Sequence, residues 1–235
     1  MLEQFKLYSP LLDQRYSPEL VKNAGAGDAK AQFSLGNCYY FGKGVITDYK
    51  EALKWFTKSA EQGNAMGERG LGSCYHEGKA VIQDYKEAAK WFTKSADQGD
   101  ADAQLSLGSC YYNGEGVFRD YKEAAKWFAK SAEQGNVNAQ MRLGISYYKG
   151  EGVDQDYKEA VKWFSKSAEQ GNAEAQLGIG YCYYEGKGVP KDEGKALEWW
   201  LNSRNNGNKQ ADKLYEQLSR ARMYKKKSNG KMPWE

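Results

Sequence analysis

The stretch DYKEAAKWFAKSAEQGN at residues 120–136 decides the fold, because the chain writes it four times. The other copies are DYKEALKWFTKSAEQGN at 48–64, DYKEAAKWFTKSADQGD at 84–100 and DYKEAVKWFSKSAEQGN at 156–172. Each copy starts 36 residues after the last, and the period extends further as Gly27, Gly63, Gly99, Gly135, Gly171 and Gly207. A fixed period of this length is the signature of a repeat architecture. Within one copy the residues specify a helix and its ends. Asp48 followed by Glu51 has the spacing of a capping box. Ala52, Trp55, Phe56, Ser59 and Ala60 then form one helical stripe, expected to be buried, while Lys50, Lys54, Lys58 and Glu61 suit a solvated face. Gly63 supplies the left-handed residue that stops a helix.

The residues before each copy predict a second helix. Asp28 can cap it, and Ala31, Leu35 and Tyr39 follow on one face. Gly36 lies inside this helix and recurs as Gly72, Gly108, Gly144 and Gly180. A helical glycine costs roughly 0.5–1 kcal/mol relative to alanine, so its recurrence predicts the close approach of another helix. Gly42 and Gly44 form the turn between the two helices. Each unit of 36 residues is therefore an α–α hairpin that cannot bury its aromatic residues alone and must stack on its neighbours. The expected fold is all-α, an α/α solenoid. Residues 1–27 form an N-terminal segment with a capping helix, 28–207 form five repeats, 208–222 form a C-terminal capping helix, and 223–235 form a basic mobile tail.

The pattern resembles the Sel-1-like repeat, a relative of the tetratricopeptide repeat. The residues that carry the resemblance are ADAQLSLG at 101–108, GEGV at 114–117, DYKEAAKWF at 120–128 and SAEQGN at 131–136. Repeat two departs from it at Gly67, Glu68 and Ala80, and repeat five at Pro190, Glu193 and the SRNNGN ending at 203–208. The resemblance implies a right-handed superhelix with the first helices lining a concave face. It also implies work as an adaptor, a scaffold, a host-interaction factor or an immunity protein against secreted toxins.

Composition bounds the partner. Of the formal charge of +3, the stretch from Lys209 onward carries eight Lys and Arg against three Asp and Glu, or +5, which leaves −2 on the rest. A near-neutral repeat body argues against nucleic acid. No apolar run approaches the ~20 residues of a membrane span. The start MLEQFKLYSPLLDQ lacks the basic and apolar regions of a signal peptide. The expected setting is a bacterial cytoplasm, or the periplasm or exterior if a leader has been removed, and the expected state is a monomer.

Candidate chemistry is sparse. Cys38, Cys74, Cys110 and Cys182 share one repeat position. Equivalent helices roughly 8–10 Å apart hold such thiols beyond the ~7 Å Cα reach of a disulfide, so free buried thiols are expected. His76, the one histidine, stands where Tyr40, Tyr112, Tyr148 and Tyr184 stand. The carboxylates repeat with the helix caps, and the GxG glycines lie between helices, so no catalytic, cofactor-binding or metal-binding residues are expected. Residues that recur build the scaffold, and residues that differ are free to recognise a partner. The differing positions of the first helices nominate Asn37, Phe41, Arg69, Ser73, His76, Ser109, Tyr112, Asn113, Arg142, Ile145, Tyr148, Lys149, Tyr181, Tyr184 and Glu185. The functional expectation is a non-enzymatic adaptor that takes a protein or peptide on its concave face. A toxin-neutralising immunity protein is the sharper alternative. An enzyme such as a hydrolase is the alternative from another class; it would need His76 in the groove beside a carboxylate.

Overall fold

The computed structural model describes residues 15–229, with side chains through 224. Twelve helices and no strands occur among the described residues. α1 (Pro18–Gly25) precedes five hairpins: α2 (Ala29–Phe41) with α3 (Tyr49–Glu61), α4 (Ala65–Glu77) with α5 (Tyr85–Asp97), α6 (Ala101–Asn113) with α7 (Tyr121–Glu133), α8 (Val137–Lys149) with α9 (Tyr157–Glu169), and α10 (Ala173–Glu185) with α11 (Glu193–Asn205). α12 (Lys209–Asn229) closes the chain. Two compact units result, Met1–Ser131 and Ala132–Glu235. In the first, α2 packs on α3 and α4, α3 on α4, α4 on α5, and α5 on α6; in the second, α8 packs on α9 and α9 on α10, and α10 packs on α11. This is the α/α solenoid expected. One boundary differs: α12 runs seven residues beyond the expected end at 222, so 223–229 are helical, and 230–235 lie outside the described residues.

The helix starts follow the sequence, with one correction. Asp48 Oδ1 accepts the N–H groups of Lys50 and Glu51 at 2.9 and 3.1 Å, as a cap should. The reciprocal half of the capping box is missing. Asp48 N–H already donates to the Tyr39 carbonyl at 3.0 Å, which ties the two helices of the hairpin together. Glu51 turns instead to Lys54 at 2.9 Å.

Two side chains recur as joints. Ser59 Oγ donates to the Ala29 carbonyl at 2.7 Å, and Ser95, Ser131, Ser167 and Ser203 make the same bond across 30 residues. Each fastens the end of a second helix to the start of the first helix in the same repeat. Gln32 Nε2 donates back to the Ala24 carbonyl at 3.1 Å, as Gln104, Gln140 and Gln176 do to Ala96, Ala132 and Ala168. Each fastens a first helix to the second helix before it. The glycines explain the tight hairpins. A Cβ on Gly108 would lie 2.7 Å from the Phe128 ring, and one on Gly36 would lie 2.6 Å from Phe56, so the close neighbour is the second helix of the same repeat.

Three tryptophans of the stripe are less buried than it predicts, while Trp163 is buried. Trp55, Trp91 and Trp127 are half-buried, and each leans on the apolar cluster of the helices before it. A lysine one turn on covers each outer face, with Lys58, Lys94 and Lys130 Nζ at 4.5, 4.1 and 3.9 Å from the ring centroids. An ammonium over an indole face is attracted by the ring quadrupole. The four cysteines are free and buried. Burial pushes the thiols of Cys74, Cys110 and Cys182 up to about 12, so they stay protonated and inert.

Repeat two breaks the glutamine joint. Glu68 stands where the others have Gln32, Gln104, Gln140 and Gln176. Its carboxylate accepts from Gln98 at 2.7 Å but has no amide hydrogen for the Ala60 carbonyl. Burial raises the Glu68 carboxyl above its ordinary range, against the opposing pull of Lys94 and Gln98. A raised acid binds its proton more readily in the folded state, so stability falls as pH rises through the folded value and gains as pH drops toward the unfolded one. Glu68→Gln is expected to stabilise the protein by about 1 kcal/mol at pH 7 and to flatten this part of the stability–pH profile. Urea titrations at pH 4.5 and 7 check it; equal pH slopes in variant and wild type would sink the assignment.

Candidate recognition face on the first helices

Residues 37, 40 and 41 of α2, and their counterparts 36 residues on, lie in the C-terminal half of each first helix. The positions after the helix centre carry the differences between repeats. At the last helical position stand Phe41, Glu77, Asn113, Lys149 and Glu185, all exposed, an aromatic, an amide, a cation and two carboxylates. One residue earlier stand Tyr40, His76, Tyr112, Tyr148 and Tyr184, of which the first four are half-buried. A tyrosine at the start of the second helix fixes each of these four rings. Tyr49, Tyr85, Tyr121 and Tyr157 meet Tyr40, His76, Tyr112 and Tyr148 edge-on at centroid distances of 5.1–5.4 Å. Edge-to-face geometry suits rings whose faces are negative and edges positive. Repeat five lacks that tyrosine, and Tyr184 rests on Trp200 at 5.5 Å instead.

These rings also reach the following repeat. In the first unit, His76 Nε2 lies 3.1 Å from Glu115 Oε2, in the turn of the next hairpin. The Tyr40 hydroxyl faces Glu77 without a well-formed hydrogen bond, and burial with that carboxylate holds the phenol above its usual range. In the second unit, Tyr148 Oη donates to Glu185 Oε2 at 2.7 Å and accepts from Lys187 Nζ at 3.2 Å. Lys187 also pairs with Glu185 at 2.8 Å, and these two donors hold the Glu185 carboxyl below the usual range. The His76–Glu115 pair is thus one of three contacts from this ring position to a carboxylate of the next repeat, with Glu115 in the turn where Glu77 and Glu185 end a first helix. The histidine does stand beside a carboxylate, and the same place in two other repeats holds tyrosine beside a carboxylate. Glu115 and Lys187 were not nominated from sequence; their signal was a charge that changes sign between repeats in the turn GxG.

Two nominated residues are corrected. Asn37 is 3% exposed and Arg69 is 1% exposed, so neither presents its side chain at the surface. Arg69 takes the place of Phe33, Leu105, Met141 and Leu177, which is a packing position between first helices. Its guanidinium lies 5.5 Å from the Phe33 centroid and pairs with Asp100 at 2.9 Å and Asp102 at 3.7 Å. Ser73 and Ser109 are half-buried, and their hydroxyls donate to the carbonyls of Arg69 and Leu105 at 3.0 Å. Ile145 packs on the core of the second unit. Lys149 lies 3.6 Å from Glu151. Tyr181 Oη accepts from Gln210 at 3.0 Å, and Arg142 is half-buried. Phe41 and Tyr184 are 43% and 39% exposed and are the large apolar anchors of the set. Among the described residues no group of three His, Cys, Asp or Glu could hold a metal ion. No helix among them is long and apolar enough to cross a membrane.

The hairpins with their serine and glutamine joints define an α/α repeat protein whose first helices differ most at their exposed ends. The Sel1 repeat model matches five successive segments, 29–64, 65–100, 101–136, 137–172 and 173–208, and the chain belongs to this family. A protective antigen of uropathogenic Escherichia coli strains with the same repeat fold is 38% identical over 85% of this chain, with a TM-score of 0.79. The match covers 43% of that antigen, so this chain spans less than half its length. A Sel1 repeat protein from Oxalobacter formigenes is 35% identical over 83% of this chain and 78% of its own, with a TM-score of 0.74. An immunity protein from Pseudomonas aeruginosa, 19% identical over 84% of this chain and 70% of its own with a TM-score of 0.52, shares the fold. Comparison with curated proteins gives no match.

Proposed function

We propose that this protein is a non-enzymatic scaffold that binds a protein or peptide partner through the first-helix faces of its two units. One observation carries the reading. The exposed ends of the first helices hold four different chemistries across five repeats, at Phe41, Glu77, Asn113, Lys149 and Glu185. The frame beneath them repeats its serine and glutamine joints almost without change. Fixed spacing with changing side chains is how a rigid surface reads an irregular partner, and rigidity lowers the ordering cost of binding. Membership of a repeat family that mediates protein–protein interaction supports it. Toxin neutralisation is a narrower form of the same reading; the Pseudomonas immunity protein supports it through fold alone. The His76–Glu115 pair fits a clasp between repeats better than an acid–base couple, because its counterparts are tyrosine–glutamate contacts.

The test is affinity capture with three forms of the protein. Phe41→Glu with Lys149→Glu and Tyr184→Ala alters exposed first-helix residues in both units. Glu133→Lys with Glu169→Lys alters exposed ends of second helices. A specific partner is expected to bind wild type and the second-helix variant alike and the first-helix variant at least tenfold more weakly, which corresponds to one hot-spot anchor lost. Equal capture by all three forms would place the binding surface elsewhere.

A further inference from the structure

The joint between repeats one and two differs from the others by the ability to hold a proton. In repeats one, four and five the joint glutamine works with both ends of its amide. Gln32, Gln140 and Gln176 accept through Oε1 from the amides of Gln62, Gln170 and Asn206 at 2.7–2.9 Å. Their Nε2 groups donate to the carbonyls of Ala24, Ala132 and Ala168 at 3.1–3.2 Å. Glu68 has the same shape, and Gln98 donates to its Oε2 at 2.7 Å, in the place of the first of those bonds. Its Oε1 therefore takes the place of Nε2, on the side of the Ala60 carbonyl. An ionised carboxylate only accepts, so two acceptors meet there, whereas a protonated one has an O–H to give. The junction leaves little room to avoid the meeting. Glu68 is 5% exposed, and Gly67 brings α4 so close to α3 that a Cβ there would lie 2.8 Å from the Ala60 nitrogen.

α4 is also the first helix with the least else to secure it. It carries Gly67 where the other repeats have Ala31, Ala103, Ala139 and Ala175, and Gly70 besides the recurring Gly72. Each glycine weakens a helix through the backbone freedom it gives up. The turn after α4 holds Ala80 at φ 61°, where the other turns have glycine. That conformation is strained for a residue with a Cβ. One bond at the start of α4 therefore counts for more than the same bond elsewhere.

Three helices pack on α4, namely α2, α3 and α5. Their charged residues close in sequence to the joint are Lys30 of α2, Lys58 and Glu61 of α3, and Lys94 and Asp97 of α5, all exposed. Lys94 is the one whose field acts on Glu68, and it favours the ionised form. Arg69, next in the chain, is paired with Asp100 and Asp102. Burial outweighs Lys94 and the Gln98 bond and holds the Glu68 carboxyl above its ordinary range. The protonated form therefore prevails below that raised value and is lost as pH climbs through it.

We infer that the α3–α4 junction is a proton-operated latch. A proton taken from solvent onto Glu68 Oε1 donates to the Ala60 carbonyl and closes the joint that glutamine keeps closed in the other four repeats. Loss of that proton to solvent releases the start of α4. α4 carries Glu77, so the latch sets how firmly the first unit holds that part of its first-helix face.

The experiment is hydrogen–deuterium exchange of the full chain, read by mass spectrometry at pH 4.5 and pH 7 and corrected for intrinsic rates. At pH 4.5, the ordinary value of a glutamate carboxyl, a raised one is mostly protonated. α8, whose Gln140 joint has no titratable group, is the internal reference. Protection of wild-type α4 is expected to rise about fivefold relative to α8 on acidification, the equivalent of one ordinary hydrogen bond. Glu68→Gln restores the residue of the other repeats and should show the higher protection at both pH values. Gln104→Glu should carry the same pH response into α6. The inference is overturned if wild-type α4 gains nothing over α8, or if Gln104→Glu leaves α6 insensitive to pH. It is equally overturned if Glu68→Gln keeps the response, which would assign it to Asp100 and Asp102 around Arg69. No partner enters the assay, so its outcome is independent of the scaffold reading.

Discussion

Arg69→Ala is expected to lower the free energy of unfolding by about 3 kcal/mol, near the low end for breaking a buried ion pair. Arg69→Met is expected to cost less, about 1–2 kcal/mol, because it keeps the packed volume although Asp100 and Asp102 still lose their counter-charge. The physical case rests on what the guanidinium touches. It spans three repeats, stacking over Phe33 of the first while pairing with Asp100 and Asp102 of the third. Its Nη1 is buried with no hydrogen-bond partner, so part of its desolvation cost is never recovered. Alanine leaves a cavity beside Phe33 and removes the counter-charge from two carboxylates that remain only slightly exposed. Methionine fills the space as Met141 does in repeat four. Urea unfolding of the two variants checks both numbers. A methionine variant as unstable as the alanine one would mean that the ion pair itself, rather than packed volume, holds repeats one to three together.

Trp200→Ala is expected to cost about 3–5 kcal/mol, the range for deleting a large buried aromatic side chain. Trp200 is 1% exposed and takes the place of Phe56, Phe92, Phe128 and Phe164. Gly180 gives it room, since a Cβ there would collide with the indole. Its Nε1 donates to the Leu177 carbonyl at 3.3 Å, and Tyr181 and Tyr184 rest on the ring. Trp200→Phe restores the residue of the other repeats and should cost less, about 1–2 kcal/mol, for the smaller ring and the lost bond. Intrinsic tryptophan fluorescence and urea titration report the change. Loss of Tyr184 anchoring should also weaken any partner that uses it, because that ring has no second-helix tyrosine behind it. A Trp200→Ala variant within 1 kcal/mol of wild type would contradict the tight packing of repeat five.

The period of 36 residues makes the hairpins legible in the sequence. Asp28 and Asp48 marked helix starts, Gly63 a stop, and Gly36 a close approach, because each effect is local or depends on a neighbour that repeats with the residue itself. The face of the first helices was legible in outline, since side chains three and four apart share a side. What escaped was whether a differing residue is exposed. Asn37 and Arg69 differ between repeats as Phe41 and Tyr184 do, yet the first pair is buried and the second is not. Glu115 and Lys187 escaped because their partners stand one repeat away.

Sequence alone determined the class of fold and its joints, since those rest on backbone conformation and on contacts that recur with the period. Tertiary structure alone decided which variations reach solvent. It turned Arg69 inward to a pair of aspartates and left Ile46, Ile82 and Phe118 outside, because burial depends on how each turn and helix is covered by the next, and no single repeat encodes its own covering.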